Sequence, residues 1–272
     1  MSQLPSLTVL LGPQTSLSLA LNAIARDYRH VLEKVGITTL PSRFASPILR
    51  HAIDDRRFDE RRLEFLNSLP KLPAFLSAVN FFGPPHEGLA KREMFPRAEQ
   101  SLARLAEVAP DMRICLCVDT LPAFFLASSS EVLETRVQST PWESLFDLSW
   151  ADLALEVKDA MSGSEVVVLN PKSALKPETL QILFGENALA THLLLKSQVN
   201  ETGRAVLDRM APEQASDSKV IAELYGSFAA RPTQREIEKR LGLDRVTQLL
   251  LEQRFDEDVA VMQSMPGIRV LS

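Results

Sequence analysis

The short apolar run Leu7-Thr-Val-Leu-Leu11 leads through Gly12-Pro-Gln-Thr-Ser-Leu-Ser18 into a long amphipathic stretch. A strand, a glycine-led hydroxyl-rich turn and a helix N-terminus in that order are how a parallel α/β protein builds a phosphate cradle. The first N–H groups of the helix and its dipole point into the turn. No basic side chain occurs from Thr8 to Ala25. The turn therefore has the architecture of an anion site without its charge. It offers Gly12, Gln14, Thr15, Ser16 and Ser18, with backbone amides and hydroxyls as the donors. The competing reading is an ordinary strand–helix connection whose hydroxyls only cap the helix.

Downstream, strand and helix patterns alternate. Leu17, Leu21, Ile24, Tyr28, Val31 and Val35 recur at helical spacing and predict one helix stopped at Gly36. Strands are expected at 73–79, 112–118 and 165–169. Helices are expected at 54–69 (a charged one), 97–108, 122–136 (opened by Pro122), 150–161 (capped by Ser149) and 176–184. Such alternation predicts an α/β fold, a parallel sheet with helices on both faces. Beyond residue 205 no strand signal remains until the last residues, and 216–230, 233–241 and 244–264 read as helices. The polar stretch 195–217 reads as a mobile loop. The expected organisation is one domain over 1–272, with an α/β core at 1–204 and a mostly helical part at 205–272.

A chain of 272 residues buries roughly three quarters of its unfolded surface, so it has core enough for this. The formal net charge of −5 argues against broad binding to nucleic acid or anionic membrane. The start Met1-Ser-Gln-Leu-Pro5 lacks a basic leader, and the apolar run after it is too short for a signal peptide or membrane span, so the expected location is cytoplasmic. Cys115 and Cys117 alternate with apolar residues, as buried core cysteines do, and no metal site is expected. His30, on a helix, and His192, in a strand-like run, read as structural. His51 and His86 sit near loops that would line a cleft on the carboxyl edge of the sheet. Of the two, His86 is the candidate general base because Glu87 lies beside it.

Four blocks in matching order give the chain a resemblance to small bacterial sulfotransferase-like proteins with a P-loop-type α/β fold. Leu11-Gly-Pro-Gln-Thr-Ser-Leu-Ser18 lies where that family has its 5′-phosphosulfate loop, a Gly-x-x-Lys-Thr-Gly-Thr-type turn. Phe75-Leu-Ser-Ala-Val-Asn-Phe-Phe-Gly83 resembles its Ser-Asp/Glu-Glu-Asn-Leu-Leu-Gly segment. Arg113-Ile-Cys-Leu-Cys-Val-Asp-Thr-Leu-Pro-Ala-Phe-Phe-Leu-Ala-Ser128 resembles the strand–Arg–Asp–Pro–helix–Ser block that holds a 3′-phosphate. Phe255-Asp-Glu-Asp-Val-Ala-Val-Met-Gln-Ser-Met-Pro-Gly-Ile268 resembles the closing helix, and Leu148-Ser-Trp-Ala-Asp-Leu153 adds a weaker fifth point. The resemblance implies 3′-phosphoadenosine 5′-phosphosulfate as cofactor, with the Gly12 turn and Ser128 binding it and Asn80 and His51 lining the acceptor cleft.

Every departure from the family pattern falls on a functional position. The loop lysine is replaced by Thr15 or Ser16, the arginine after the third predicted strand by Val118, and the acidic pair by Ala78 and Val79. A hydrogen bond to a charged group contributes about 1.5–3 kcal/mol, so two lost cationic partners remove roughly 3–6 kcal/mol of donor affinity. The first expectation is therefore a non-catalytic sulfotransferase-like protein that binds an altered ligand, or a protein or glycan partner. The second is an active sulfotransferase for a glycan or small alcohol, with Arg113, Lys91 or Arg92 supplying the cation and His86 the base. A third reading takes Thr233–Leu251, with Gly242 as its turn, for a helix-turn-helix DNA-binding regulator. Against it, the reading helix would run into Glu252, Asp256, Glu257 and Asp258, which phosphate repels.

Overall fold

The computed structural model describes residues 7–34, 36–43, 45, 49, 60, 74–79, 81–108, 112–128, 130–171, 183, 188–214 and 217–271. Its framework is a sheet of six strands, all parallel: β1 (Leu7–Gly12), β2 (Thr38–Leu40), β3 (Ala74–Val79), β4 (Arg113–Cys117), β5 (Glu165–Leu169) and β6 (Ile268–Leu271). They lie in the order β2-β3-β1-β4-β5-β6. Because successive side chains point to opposite faces, each central strand feeds two cores. Leu10, Phe75, Cys115, Cys117, Val167 and Leu169 face one layer. Val9, Leu11, Leu76, Ile114, Leu116, Val166 and Val168 face the other.

The first layer contains α1 (Ser16–Asp27), α2 (Arg29–Lys34), α8 (Ala188–Gln198), α9 (Glu201–Leu207) and α10 (Ser218–Phe228), which bury Leu17, Leu21, Leu32, Leu194, Leu207 and Leu224. The second contains α3 (Pro85–Lys91), α4 (Ala98–Val108), α5 (Leu121–Ala127), α6 (Glu131–Ser139) and α7 (Trp150–Ala160). It is completed by α11 (Gln234–Leu241) and α12 (Arg245–Ser264). Trp150, Phe124 and Phe95 meet edge to face at its centre, with Trp150 and Phe124 centroids 5.2 Å apart. Among the described residues, no helix is long and apolar enough to cross a membrane.

Several expected elements change. The stripe from Leu17 to Val35 is two helices, because the chain breaks at Tyr28, and the break turns Leu32 rather than Val31 into the core. The helix expected over 122–136 divides into α5 and α6, since Ser130 caps a new helix by accepting from the Leu133 N–H at 3.2 Å. The loop expected over 195–217 holds the end of α8 and all of α9, whose N-terminus is capped by Asn200. His192 sits on α8, not on a strand: Leu193, Leu194 and Leu195 look strand-like in isolation but lie on a helix that buries Leu194 and Leu195 and half-buries Leu193. The charged helix expected at 54–69, apart from Glu60, and the helix expected at 176–184, apart from Leu183, lie outside the described residues.

Candidate functional site

β1 is flanked by β3 on one side and β4 on the other, and chain connections leave these neighbours in opposite directions. A crevice therefore opens beyond the carboxyl ends of β1 and β4, where ligands bind in open parallel sheets. A cavity of about 330 Å³ occupies that position. Ser16 follows β1, Asp119 and Thr120 follow β4, and Pro171 follows β5, and all four line it. Pro122 and Ala123 of α5 and Gln198 of α8 add to it, and the C-terminal part of the chain closes it with Tyr225, Arg231, Glu252, Phe255 and Asp256.

The turn that opens α1 is short, with Pro13, Gln14 and Thr15 between β1 and the helix. Gly12 takes φ +124°, and a Cβ there would stand 3.0 Å from Leu116 Cδ1, so the chain can leave the strand this way only at glycine. Thr15 and Ser18 form a reciprocal cap. The Ser18 N–H donates to Thr15 Oγ1 at 3.1 Å, and the Thr15 N–H donates to Ser18 Oγ at 2.9 Å. The Ser18 hydroxyl also donates to the Pro13 carbonyl at 2.8 Å. Both side chains are buried, 0% and 1% exposed, so their oxygens face the turn and not the cleft. Ser128, at the end of α5, is brought to the same turn across 114 residues, where its hydroxyl donates to the Gln14 carbonyl at 3.0 Å. Of the hydroxyls in the turn, Ser16 alone lines the cavity.

The cations named from sequence lie elsewhere. Arg113 starts β4, at the amino edge of the sheet, and pairs with Glu165 at 2.7 Å. Arg92 meets Asp147 at 3.5 Å. Neither they nor Lys91 line the cavity. Nor does His86, in the first turn of α3, while its neighbour Glu87 pairs with Arg97 at 3.0 Å. Asn80 and His51 lie outside the described residues. Val118, Ala78 and Val79 are all buried. The described residues do not fit a phosphosulfate donor: the capping hydroxyls are enclosed, Ser128 is tied to a carbonyl, and among the described residues the cleft carries three carboxylates against one guanidinium.

That guanidinium belongs to Arg231, in Ala229-Ala-Arg-Pro232 between α10 and α11, where no spacing in the sequence links it to the Gly12 turn. A short antiparallel bridge, Val199 with Ala229, places it. The Asn200 N–H donates to the Phe228 carbonyl at 2.7 Å and the Ala230 N–H to the Gln198 carbonyl at 2.9 Å. Arg231 stacks over the Tyr225 ring, 5.7 Å from its centroid, and the Tyr225 hydroxyl donates to the Pro171 carbonyl at 3.2 Å.

Asp119 forms the floor. One of its oxygens accepts from the Thr120 N–H at 2.8 Å. Burial pushes its carboxyl up to about 7, against the opposing pull of that N–H and of the Arg231 charge. An aspartate directly past a buried strand and ahead of a proline-opened helix is the sequence signal by which this residue stands out. Cys115 and Cys117 sit beneath the cleft on the α1 face, and burial pushes Cys115 up to about 12, which keeps it an unreactive thiol. Helices α11 and α12 pack Ile237, Leu241, Leu251, Phe255 and Met262 into the second core. The face they turn away from the core includes Val246, Leu249 and Leu250.

Comparison with protein-family models, with curated proteins and with solved structures finds no match to this chain. The fold and the cleft are what define its class: an α/β protein with a parallel sheet and a small, mostly acidic cavity at the sheet's carboxyl edge.

Proposed function

We propose that the protein is a sulfotransferase-like α/β protein with no sulfuryl-transfer activity, whose cleft takes a small ligand other than a nucleotide phosphosulfate. The observation that carries this reading is the Thr15–Ser18 cap, in which two of the three hydroxyls of the expected donor loop are buried and satisfied within the turn, leaving only Ser16 to the cleft. Charge supports it: Asp119, Glu252 and Asp256 oppose a polyanion, and the orphan amides at the start of α1 offset this by only about 0.3–1 kcal/mol each. Calorimetric titration with 3′-phosphoadenosine 5′-phosphate is expected to give no binding at millimolar ligand. Micromolar binding would overturn the reading.

Arg231 favours a second reading, because it brings a cation into the cleft that Ser16 lines. On that reading the protein sulfates a glycan or small alcohol, and Arg231 takes the part of the loop lysine. Donor-dependent sulfation of an acceptor library, lost in Arg231→Ala, is the result it requires. If neither nucleotide nor small ligand binds, a protein or glycan partner is the remaining proposal.

A further inference from the structure

We propose that this cleft binds a small organic cation, a primary ammonium on a compact apolar body, with the Asp119 carboxylate as its anionic partner. The inference rests on the reading above that the cleft is not a phosphosulfate site, and it names the ligand class that replaces the donor.

Asp119 is 6% exposed, yet it lines the cavity. Oδ1 is held by the Thr120 N–H, and Oδ2 has no hydrogen-bond partner among the described residues. Oδ2 is not sealed in the core but opens to the cavity, so the group it accepts from is one that enters the cavity. A ligand group that donates a hydrogen bond suits this acceptor, and a positively charged donor suits it best. Glu252 and Asp256 at the rim add charge of the same sign. Arg231 is the one cation lining the cavity among the described residues; its charge reaches Asp119, but it is stacked on Tyr225 and makes no hydrogen bond to the carboxyl, which leaves Oδ2 for a ligand. Pro122, Ala123, Ile237 and Phe255 complete the wall with apolar surface, which suits a carbon body and gives the ammonium an aromatic neighbour. A volume of about 330 Å³ is at the small end for ligand sites, which range over roughly 300–1,000 Å³.

The test uses the full-length protein and three probes of one shape: benzylamine, benzyl alcohol and benzoate. Binding is followed by thermal shift and by NMR titration. Benzylamine is expected to saturate, with the alcohol at least about tenfold weaker and benzoate silent. Asp119→Asn is expected to weaken benzylamine by at least about tenfold without changing the alcohol. Ala123→Leu, which fills the apolar wall, is expected to weaken both. Equal binding of amine and alcohol, an unaltered amine affinity in Asp119→Asn, or no amine binding at tens of millimolar would overturn the inference. The same preparations are titrated with 3′-phosphoadenosine 5′-phosphate. Nucleotide binding would overturn the reading of the cleft itself, whereas failure of amine and nucleotide together overturns only the ligand class.

Discussion

A carboxyl group walled by apolar side chains holds its proton more tightly, and Asp119 does so until about pH 7. Its ordinary value is 3.8, so between there and about 7 the folded chain binds a proton that the unfolded chain has lost. The resulting stability is fully present below the lower value and disappears as pH rises through the upper one. Asp119→Asn is therefore expected to flatten the pH dependence and to raise stability at about pH 8 by up to roughly 4 kcal/mol, with little change at low pH. Urea unfolding at several pH values checks this. Amine affinity should run the other way, strengthening as pH rises through about 7, because ionised Asp119 is the binding form. At Gly12 the substitution to alanine is expected to destabilise by about 1–3 kcal/mol, since φ +124° disfavours a Cβ and Leu116 blocks its path. These residues also show where residue identity alone stops. Thr15 and Ser18 are equally the side chains of an anion loop and of a helix cap. Only the direction of their oxygens decides between the two.

At the scale of elements, the cleft depends on junctions between helices. Gly203 of α9 lies against the Val199–Ala229 bridge, and a Cβ there would come within 2.7 Å of Phe228 Cβ and 2.8 Å of Val199 Cβ. Gly203→Ala is expected to push α9 from the bridge and shift Arg231 and Gln198, weakening ligand binding more than it weakens the fold. NMR shifts at Arg231 and the benzylamine affinity read the two effects separately. A second junction joins α12 to α7. Asp258 accepts from the Ser149 hydroxyl at 3.0 Å and from the Trp150 N–H at 2.7 Å, and burial raises its carboxyl above the usual range. Asp258→Ala removes both bonds and strands a buried N–H, with an expected loss of about 3 kcal/mol, against about 1 kcal/mol for Ser149→Ala. Chemical denaturation of the two variants gives the comparison. Ser149 could be read as a cap from its position before Trp150-Ala-Asp152, and the helix follows. Its partner Asp258 could not, because 109 residues separate them and no local pattern links them.

For the whole molecule, the C-terminal helices are part of the core and not an appendage. Phe255, Met262 and Ile268 belong to the same buried cluster as Trp150 and Leu116, and β6 extends the sheet beside β5. A chain ending after Met210 would leave that face of β5, α5 and α7 uncovered and lose the walls carrying Tyr225, Arg231, Glu252 and Asp256. It is expected to lose cooperative unfolding and near-ultraviolet circular dichroism, while the full chain unfolds in one transition. Two separate transitions in the full chain would contradict this coupling.

Apolar periodicity along the chain sets the layers. Alternating apolar runs and helical stripes require strands buried on both faces, and hydrophobic burial enforces that pattern wherever the chain goes. The parallel sheet, the helix at Ser16 and the helices at 218–228, 234–241 and 245–264 all follow from it. The site comes from packing between distant segments. The order of strands sets the crevice beyond β1 and β4, and a bridge between two loops carries Arg231 to Asp119 across 112 positions. Charges that face a common cavity need no fixed spacing along the chain. Their meeting is a property of packing, and periodicity records only which side of each element is buried.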